Sequence, residues 1–386
     1  MSDPVEAPPP SIAVVILAAG WSSRMAAFKP LLPFGDDTVL GHVIATITEA
    51  AIGKAYVVVG NEAARMVPVV EAHGAVAVFN AAFAEGMMSS IKAGIAALPE
   101  TVEGAMILPV DIPLVRAGTL AQIARSVGEG EAFVLRPTFR GQSGHPPFIR
   151  RQLFAEILAA PAEVTLRDIL ERHQRHAQSI PVIDSGVLRD MDYSDDYRRL
   201  TALLPHRRYP DAAECEAMQD AIGAPEPTRR HCAAVARLAL EIAERLIAKG
   251  LSINADAVRA GALLHDIAKG EPDHAVAGGR YVAAFGFAHV AQIVATHMEM
   301  TFEPGQPIDE RHLVFLADKL IKGERRVDLE ERFAPALAAF AGDPAALAGA
   351  QRRRAAVAAV LSAVEAVVGP LGHIPVAGSP AVPVGG

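Results

Sequence analysis

Cysteine is nearly absent: the 386 residues contain only Cys215 and Cys232. Two thiols cannot build the disulfide framework of a small secreted domain, and their scarcity fits a reducing cytoplasm. Positive charge is not in excess either. Lys and Arg number 36 against 44 Asp and Glu, a formal net charge of −8, which excludes a general nucleic-acid or membrane-surface binder. An acidic chain that handles phosphates must gather its cations locally or use metal ions. Long hydrophobic runs are missing too. The apolar run from Ala355 to Val368 is interrupted by Glu365 and closed by Pro370, and it is too short to span a bilayer. Ser2 to Pro10 is acidic and proline-rich, without the basic and apolar segments of a signal peptide. No internal repeat is evident. The expectation is a soluble cytoplasmic protein with neither nucleic acid nor membrane as partner.

What is present falls into two halves. The length calls for two or three domains. Runs rich in Val, Ile and Ala at 12–17, 55–59, 76–79, 105–110 and 132–135 alternate with helically spaced segments near 38–51, 62–73, 89–98 and 117–128. That alternation predicts a doubly wound α/β domain with a mostly parallel sheet over residues 11–204. Ligands in such folds sit at the carboxyl ends of the strands. Residues 205–227 hold four prolines and many charges and read as a linker. Helical periodicity then dominates from Arg229 to about Val367. It predicts an all-α domain over 228–335 and a helical extension over 336–369. The Pro-Gly-Val tail over 370–386 is expected to be disordered.

In the first half the chemistry gathers behind the first strand. Leu17, Ala18, Ala19 and Gly20 form a small-residue turn, whose backbone N–H groups an anion can approach closely. Arg24 and Lys29, five residues apart, add fixed positive charge. The combination predicts a triphosphate site, and so a nucleotide-using enzyme. Asp111, in Leu-Pro-Val-Asp-Ile-Pro-Leu, ends a buried strand with a carboxylate, which suits Mg²⁺ held by one or two carboxylates plus substrate phosphates. Asp190, Asp192, Asp195 and Asp196 offer further carboxylates for that ion or a second one. Asn80 falls just after a predicted strand. Gly86, Met87, Met88, Ser89 and Ser90 read as a loop entering a helix, with hydroxyls and N–H groups for a base or ribose. Gly144, His145, Pro146 and Pro147 read as a rigid turn lining an acceptor pocket.

Leu17-Ala-Ala-Gly-x-Ser-x-Arg-Met25 followed by Lys29-x-Leu-Leu-Pro33 resembles the molybdenum-cofactor nucleotidyltransferase family. Gly86-Met-x-Ser-Ser90, Pro109-x-Asp-x-Pro-Leu114, Gly144-His-Pro146 and Asp190-x-Asp192 match further motifs in the family order, over roughly residues 11–200. The Ala-Ala-Gly opening and Lys-x-Leu-Leu-Pro ending are similar to the cytidylyltransferase branch. The guanylyltransferase branch usually opens with Ala-Gly-Gly. The resemblance implies transfer of CMP from CTP to the terminal phosphate of molybdopterin, releasing pyrophosphate. It implies Arg24 and Lys29 on the triphosphate and Mg²⁺ on Asp111 and Asp192. Nucleotide contacts would come from Leu17, Ala18, Ala19, Gly20, Asn80, Gly86, Ser89 and Ser90, and the acceptor would lie near Gly144, His145 and Pro146. A molybdenum hydroxylase or its maturation factor would be the protein partner. A sugar phosphate or other small phosphate as acceptor, or GTP as donor, are the alternatives. The sequence departs from the family pattern at Ala26, where Gly is usual, and at Tyr193-Ser194, where Thr-Pro is usual.

In the second half His231, His265, Asp266, His297 and Asp318 fall on apolar, inward faces, and His274 follows a short loop. Buried imidazoles and carboxylates are costly without partners, so this set needs a metal or one another. Such ligands suit Fe, Mn, Co or Zn. His289 and His312 read as surface or capping residues. The order His…His-Asp…His…His…Asp resembles the HD-domain phosphohydrolases over roughly residues 228–335. Leu264-His-Asp-Ile-Ala-Lys269 and Ala317-Asp-Lys319 are similar to the branch that hydrolyses diadenosine tetraphosphate. The resemblance implies one or two metal ions on His231, His265, Asp266, His274, His297 and Asp318, with Lys269 as a phosphate contact. A nucleotide-sensing regulatory role for this half is the alternative.

Overall fold

The computed structural model describes residues 11–21, 25, 27–303 and 305–371. It divides into two compact units, residues 1–208 and 209–386. Arg24 and Ala26 lie outside the described residues, as does the expected tail from residue 372 onward. No described helix is long and apolar enough to cross a membrane.

The first unit begins with β1 (Ile12–Leu17), a small hairpin of β2 (Pro33–Phe34) and β3 (Asp37–Thr38), and α1 (Val39–Ala50). Thr38 starts α1 by accepting a hydrogen bond from the Gly41 N–H at 3.0 Å. Then follow β4 (Gly53–Val59), α2 (Ala63–Ala72), β5 (Val76–Phe79), α3 (Met87–Ala96), β6 (Gly104–Pro109) and α4 (Ala117–Gly128). The remaining elements are β7 (Val134–Phe139), β8 (Gln142–Ser143), β9 (Phe148–Arg150), α5 (Phe154–Ala159), α6 (Leu166–Arg172), β10 (Ala177–Pro181) and α7 (Ser194–Leu203).

The sheet runs β10-β7-β9-β6-β1-β4-β5, with β8 folded onto β7. β1 lies parallel between β4 and β6, and all six of its residues are buried. A strand covered on both faces is apolar throughout rather than alternating, and Ile-Ala-Val-Val-Ile-Leu follows that rule. The sheet is mostly parallel, as expected, but β9 pairs antiparallel with both β6 and β7, and β8 pairs antiparallel with β7. Three residues are too few to carry a periodic signal, so β9 was not legible in the sequence. The parallel register aligns Leu17, Val58 and Pro109 at one edge. The segments beginning at Ala18 and Asp111 therefore leave the sheet side by side.

The second unit is helical: α8 (Ala212–Ile222), α9 (Glu226–Ala248), α10 (Ala255–Leu264), α11 (His274–Ala284), α12 (Ala288–Thr296), α13 (Glu310–Lys319), α14 (Leu329–Ala339) and α15 (Pro344–Val368). Three findings differ from the sequence expectation. The segment 205–227 contains α8, capped reciprocally by Asp211 and Glu214 at 2.9 Å each. Gln219 of α8 donates to the Leu263 carbonyl at 2.7 Å. The second is a hairpin of β11 (Ile321–Lys322) and β12 (Arg325–Arg326), which interrupts the helices. The expected boundary between 335 and 336 falls inside α14.

Candidate active sites

At the carboxyl edge of β1 and β6, a cleft of about 310 Å³ is lined by Leu17, Ala18, Ala19, Gly20, Lys29, Gly86, Ser90 and Asp111, among others. Lys29 sits on a short 3₁₀ turn and is buried. Its ammonium stands 3.7 Å from Asp111 Oδ2 and 3.3 Å from Asp192 Oδ1. Burial raises the Asp111 carboxyl above the ordinary range; Lys29 opposes this, and Asp192 and Asp190 add to it. Carboxylates crowded in this way favour a second cation beside Lys29. Their oxygen-only donor set fits Mg²⁺.

A second cavity, about 700 Å³, shares Gly86, Met87, Pro109 and Asp111 with the first. Asp111 thus belongs to the walls of both. Gly144, His145, Asp190, Arg136 and Arg167 also line the larger cavity. Gly144 is required where it stands, because a Cβ there would meet the Val187 carbonyl at 2.6 Å. The adjacent His145–Pro146 bond is cis. Burial lowers the His145 proton affinity below that of an ordinary imidazole, and its Nδ1 is buried without a hydrogen-bond partner among the described residues. Pro146 itself is not among the lining residues; Pro147 is.

Other expected nucleotide residues play supporting parts. The Ala18 N–H is taken by the Val58 carbonyl at 3.0 Å, so Ala18 shapes the cleft wall rather than donating into it. Asn80 is buried; its amide donates to Ser89 Oγ at 2.9 Å and Ser90 Oγ at 3.1 Å and accepts from the Ala82 N–H at 3.0 Å. Neither Asn80 nor Ser89 lines the cleft. They fix the loop that delivers Gly86 and Ser90 to it. Gly86, at φ +104° and ψ −177°, adopts a backbone conformation open to glycine alone. Asp195 pairs with Arg198 at 2.6 Å. Asp196 caps α7, accepting from the Tyr193 N–H at 2.9 Å, and pairs with Arg199. These two do not join the Asp111 cluster. Arg136 and Arg167 were missed, because nothing in the local pattern distinguishes them from other exposed arginines.

In the second unit α9, α10, α11, α12 and α13 bring six side chains together. His231 Nε2 lies 3.2 Å from Asp318 Oδ1, and His265 Nε2 lies 3.6 Å from the same oxygen. His274 Nε2 and His297 Nε2 lie 3.2 and 3.5 Å from Asp266 Oδ1. Two overlapping trios, His231–His265–Asp318 and His265–Asp266–His297, are each compact enough for a metal ion. The tautomers follow from the opposite ring nitrogens. Nδ1 of His231, His265 and His297 each lies 2.7 Å from a backbone carbonyl, those of Gly323, Ala262 and Val294. Each Nδ1–H therefore donates outward and turns the Nε2 lone pair toward the cluster. Nε2 of His265 and of His297 is buried with no hydrogen-bond partner among the described residues. Orphaned buried acceptors of this kind fit a cation. Burial alone would raise the Asp318 carboxyl, but Lys319, His231 and His265 hold it well below the usual range.

Lys269 reaches Asp266 at 2.5 Å, and Lys319 reaches Asp318 at 2.5 Å. The Gly323 partner of His231 lies in the hairpin turn, which the sequence did not reveal. His312 departs from the surface reading: it is buried, where Asp309 N donates to its Nδ1 at 3.1 Å. Its capping role holds. His289 meets the Tyr209 hydroxyl at 3.1 Å.

The two sites correspond to two known domain types. Residues 14–177 match the family model of the MobA-like NTP transferase domain, and residues 228–323 match that of the HD domain. The chain carries a nucleotidyltransferase domain followed by an HD domain. It is similar to the bifunctional protein GlmU of Mycobacterium sp. (strain KMS), 29% identical over 173 residues, covering 41% of this chain and 34% of that protein. GlmU of Clavibacter sepedonicus is 32% identical over 149 residues, 37% and 30% of the two chains. The chain thus spans about a third of the length of these curated relatives. Among solved structures it is similar to Rv0371c from Mycobacterium tuberculosis H37Rv, at 26% identity and TM-score 0.45 over 50% of this chain and 100% of that one. It is also similar to molybdopterin-guanine dinucleotide biosynthesis protein A from Archaeoglobus fulgidus, at 15% identity and TM-score 0.41 over 50% and 98%.

Proposed function

We propose that the protein is a bifunctional enzyme: a Mg²⁺-dependent cytidylyltransferase acting on molybdopterin, joined to a metal-dependent phosphohydrolase. The observation that supports the first activity best is the shared position of Asp111. It lines both the cleft of about 310 Å³ and the larger cavity, with Lys29 and Asp192 beside it. CTP occupies the smaller cleft and molybdopterin the larger. An oxygen of the acceptor phosphate attacks the α-phosphorus of CTP; the bond from that phosphorus to the bridging oxygen breaks, and pyrophosphate leaves. Lys29 and Arg24 hold the triphosphate, and Asp111 with Asp192 would hold Mg²⁺, which would supply neutralisation of the charge developing on the phosphates. His145, kept neutral by burial, lines the acceptor side.

In the HD domain, His231, His265, Asp266, His274, His297 and Asp318 hold one or two ions of Fe, Mn, Co or Zn. A metal held there would supply the activation of water that phosphate ester hydrolysis needs. The three outward Nδ1–H bonds hold the imidazoles in the ligating tautomer.

The test is an NTP panel crossed with molybdopterin and sugar-phosphate acceptors, reading nucleotide transfer and pyrophosphate release. CTP with molybdopterin is the expected best pair. Transfer from CTP or another NTP to a sugar phosphate instead would reassign the acceptor. No transfer to any acceptor by folded protein would remove the transferase reading. Chelator-sensitive hydrolysis of phosphate esters tests the second half, and a metal-bound but inactive HD site would make it a sensor.

A further inference from the structure

Trp21 is the chain's one tryptophan, and it is 59% exposed where it lines the smaller cleft of the first domain. Its ring leans on that of Phe83, with centroids 5.1 Å apart and planes at 51°. Phe83 is anchored. It packs against the core that holds Val15 and Ile91, and a Cβ at Gly60 would meet its Cβ at 2.6 Å, so Gly60 leaves the space that Phe83 fills. Phe83 thus braces one side of the indole and leaves most of its surface open to the cleft and solvent. A large apolar side chain held in place yet left uncovered marks a binding surface more often than a packing one.

Trp21 and Phe83 line the smaller cleft and not the larger cavity, and the same is true of Lys29. The lining of the smaller cleft therefore combines charge, from Lys29 and Asp111, with an apolar surface from Trp21, Phe83, Ala84 and Met87. A triphosphate uses the charged groups alone. The apolar surface suits a flat ring on the same ligand, and a nucleobase is such a ring, since bases stack on aromatic side chains. We propose that Trp21, braced by Phe83, is the stacking platform for the base of the nucleotide donor. Every base has a π face, so the platform holds the nucleoside without choosing among bases. Position 21 is an unspecified residue of the Leu17–Met25 motif, so the platform is a property of this chain. The proposal rests on the nucleotidyltransferase reading and adds to it a residue that separates a nucleotide from a bare triphosphate.

The experiment uses the full chain, stripped of transition metals and supplied with Mg²⁺. Because Trp21 is the sole tryptophan, its fluorescence reports on this cleft alone. Saturating α,β-methylene-CTP, which cannot be cleaved at the transfer position, is expected to change that emission. Calorimetric titrations with the same analogue and with tripolyphosphate then compare the wild type, Trp21→Ala and Trp21→Phe. The HD half is identical in every arm, so a difference between chains belongs to the first domain. Trp21→Ala is expected to weaken the analogue about tenfold or more and to leave tripolyphosphate binding unchanged. Trp21→Phe, which keeps a π face, should retain most of the affinity. Unchanged affinity for the analogue in Trp21→Ala, an equal loss for both ligands, or emission unmoved by bound analogue would overturn the proposal and leave the transferase reading standing. Failure of the wild type to bind the analogue would instead remove the nucleotide reading, and the proposal with it.

Discussion

The Lys29 ammonium stands 3.7 Å from the Asp111 carboxylate, across a gap of 82 positions in the sequence. Parallel pairing of β1 with β6 closes that gap by placing the ends of both strands at one edge. Asp111 should therefore be indispensable to transfer and irrelevant to the other half. Asp111→Ala is expected to lower the transfer rate by about 10²–10³-fold or more, with phosphate ester hydrolysis unchanged. Parallel assays of the two activities on one preparation check this.

Asn80 makes a different prediction, because it holds the loop and does not line the cleft. Asn80→Ala removes the acceptor of the Ala82 N–H and the donor to the Ser89 and Ser90 hydroxyls, while Ser89 keeps its bonds to the Ala82 and Gly86 carbonyls. A cost of about 1–3 kcal/mol in stability is expected. The nucleotide KM should rise more than kcat falls, since Gly86 and Ser90 lose their fixed position. Chemical denaturation and steady-state kinetics with varied nucleotide distinguish this from loss of a catalytic group.

Removal of the metal held by the HD cluster should destabilise the second domain. An ion held at 100 times its dissociation constant contributes about 2.7 kcal/mol. A chelator should lower the melting transition of the wild-type chain and not that of His265→Ala, which lacks the ligand common to both trios. Scanning calorimetry with and without chelator reads this directly.

His145 gives a pH dependence. Burial depresses its proton affinity in the fold below the unfolded value of about 6.5. Between the two pKa values the unfolded chain binds more protons, so stability rises with pH there. The contribution is full above the unfolded value and is lost as pH falls through 6.5 toward the folded value. His145→Gln should flatten that part of the melting-temperature profile, and an unchanged slope would contradict the assignment.

Much of this was legible in the sequence, for identifiable reasons. β1 and β6 are apolar throughout because both faces are covered, and the small-residue turn and Asp111 follow directly from their ends. Five of the six HD residues announced themselves as polar groups on apolar faces, and His274 by its place in the order of the motif. What stayed hidden depends on tertiary approach. β9 is too short to have a period, and α8 was masked by the prolines around it. The Gly323 carbonyl that orients His231 is a backbone atom, which no residue pattern reports. Arg136 and Arg167 look like surface arginines until the cavity they line is seen. Asn80, expected at the nucleotide, is bonded to Ser89, Ser90 and the Ala82 N–H and does not line the cleft.

The most direct measurement is pyrophosphate release from CTP with Mg²⁺ and molybdopterin, compared across the wild type, Asp111→Ala and the His265→Ala/Asp266→Ala double variant. Acceptor-dependent release by the wild type and the double variant, and none by Asp111→Ala, is the expected result. Release that survives Asp111→Ala, or that disappears with the HD ligands, would contradict a transferase centre built on Lys29, Asp111 and Asp192.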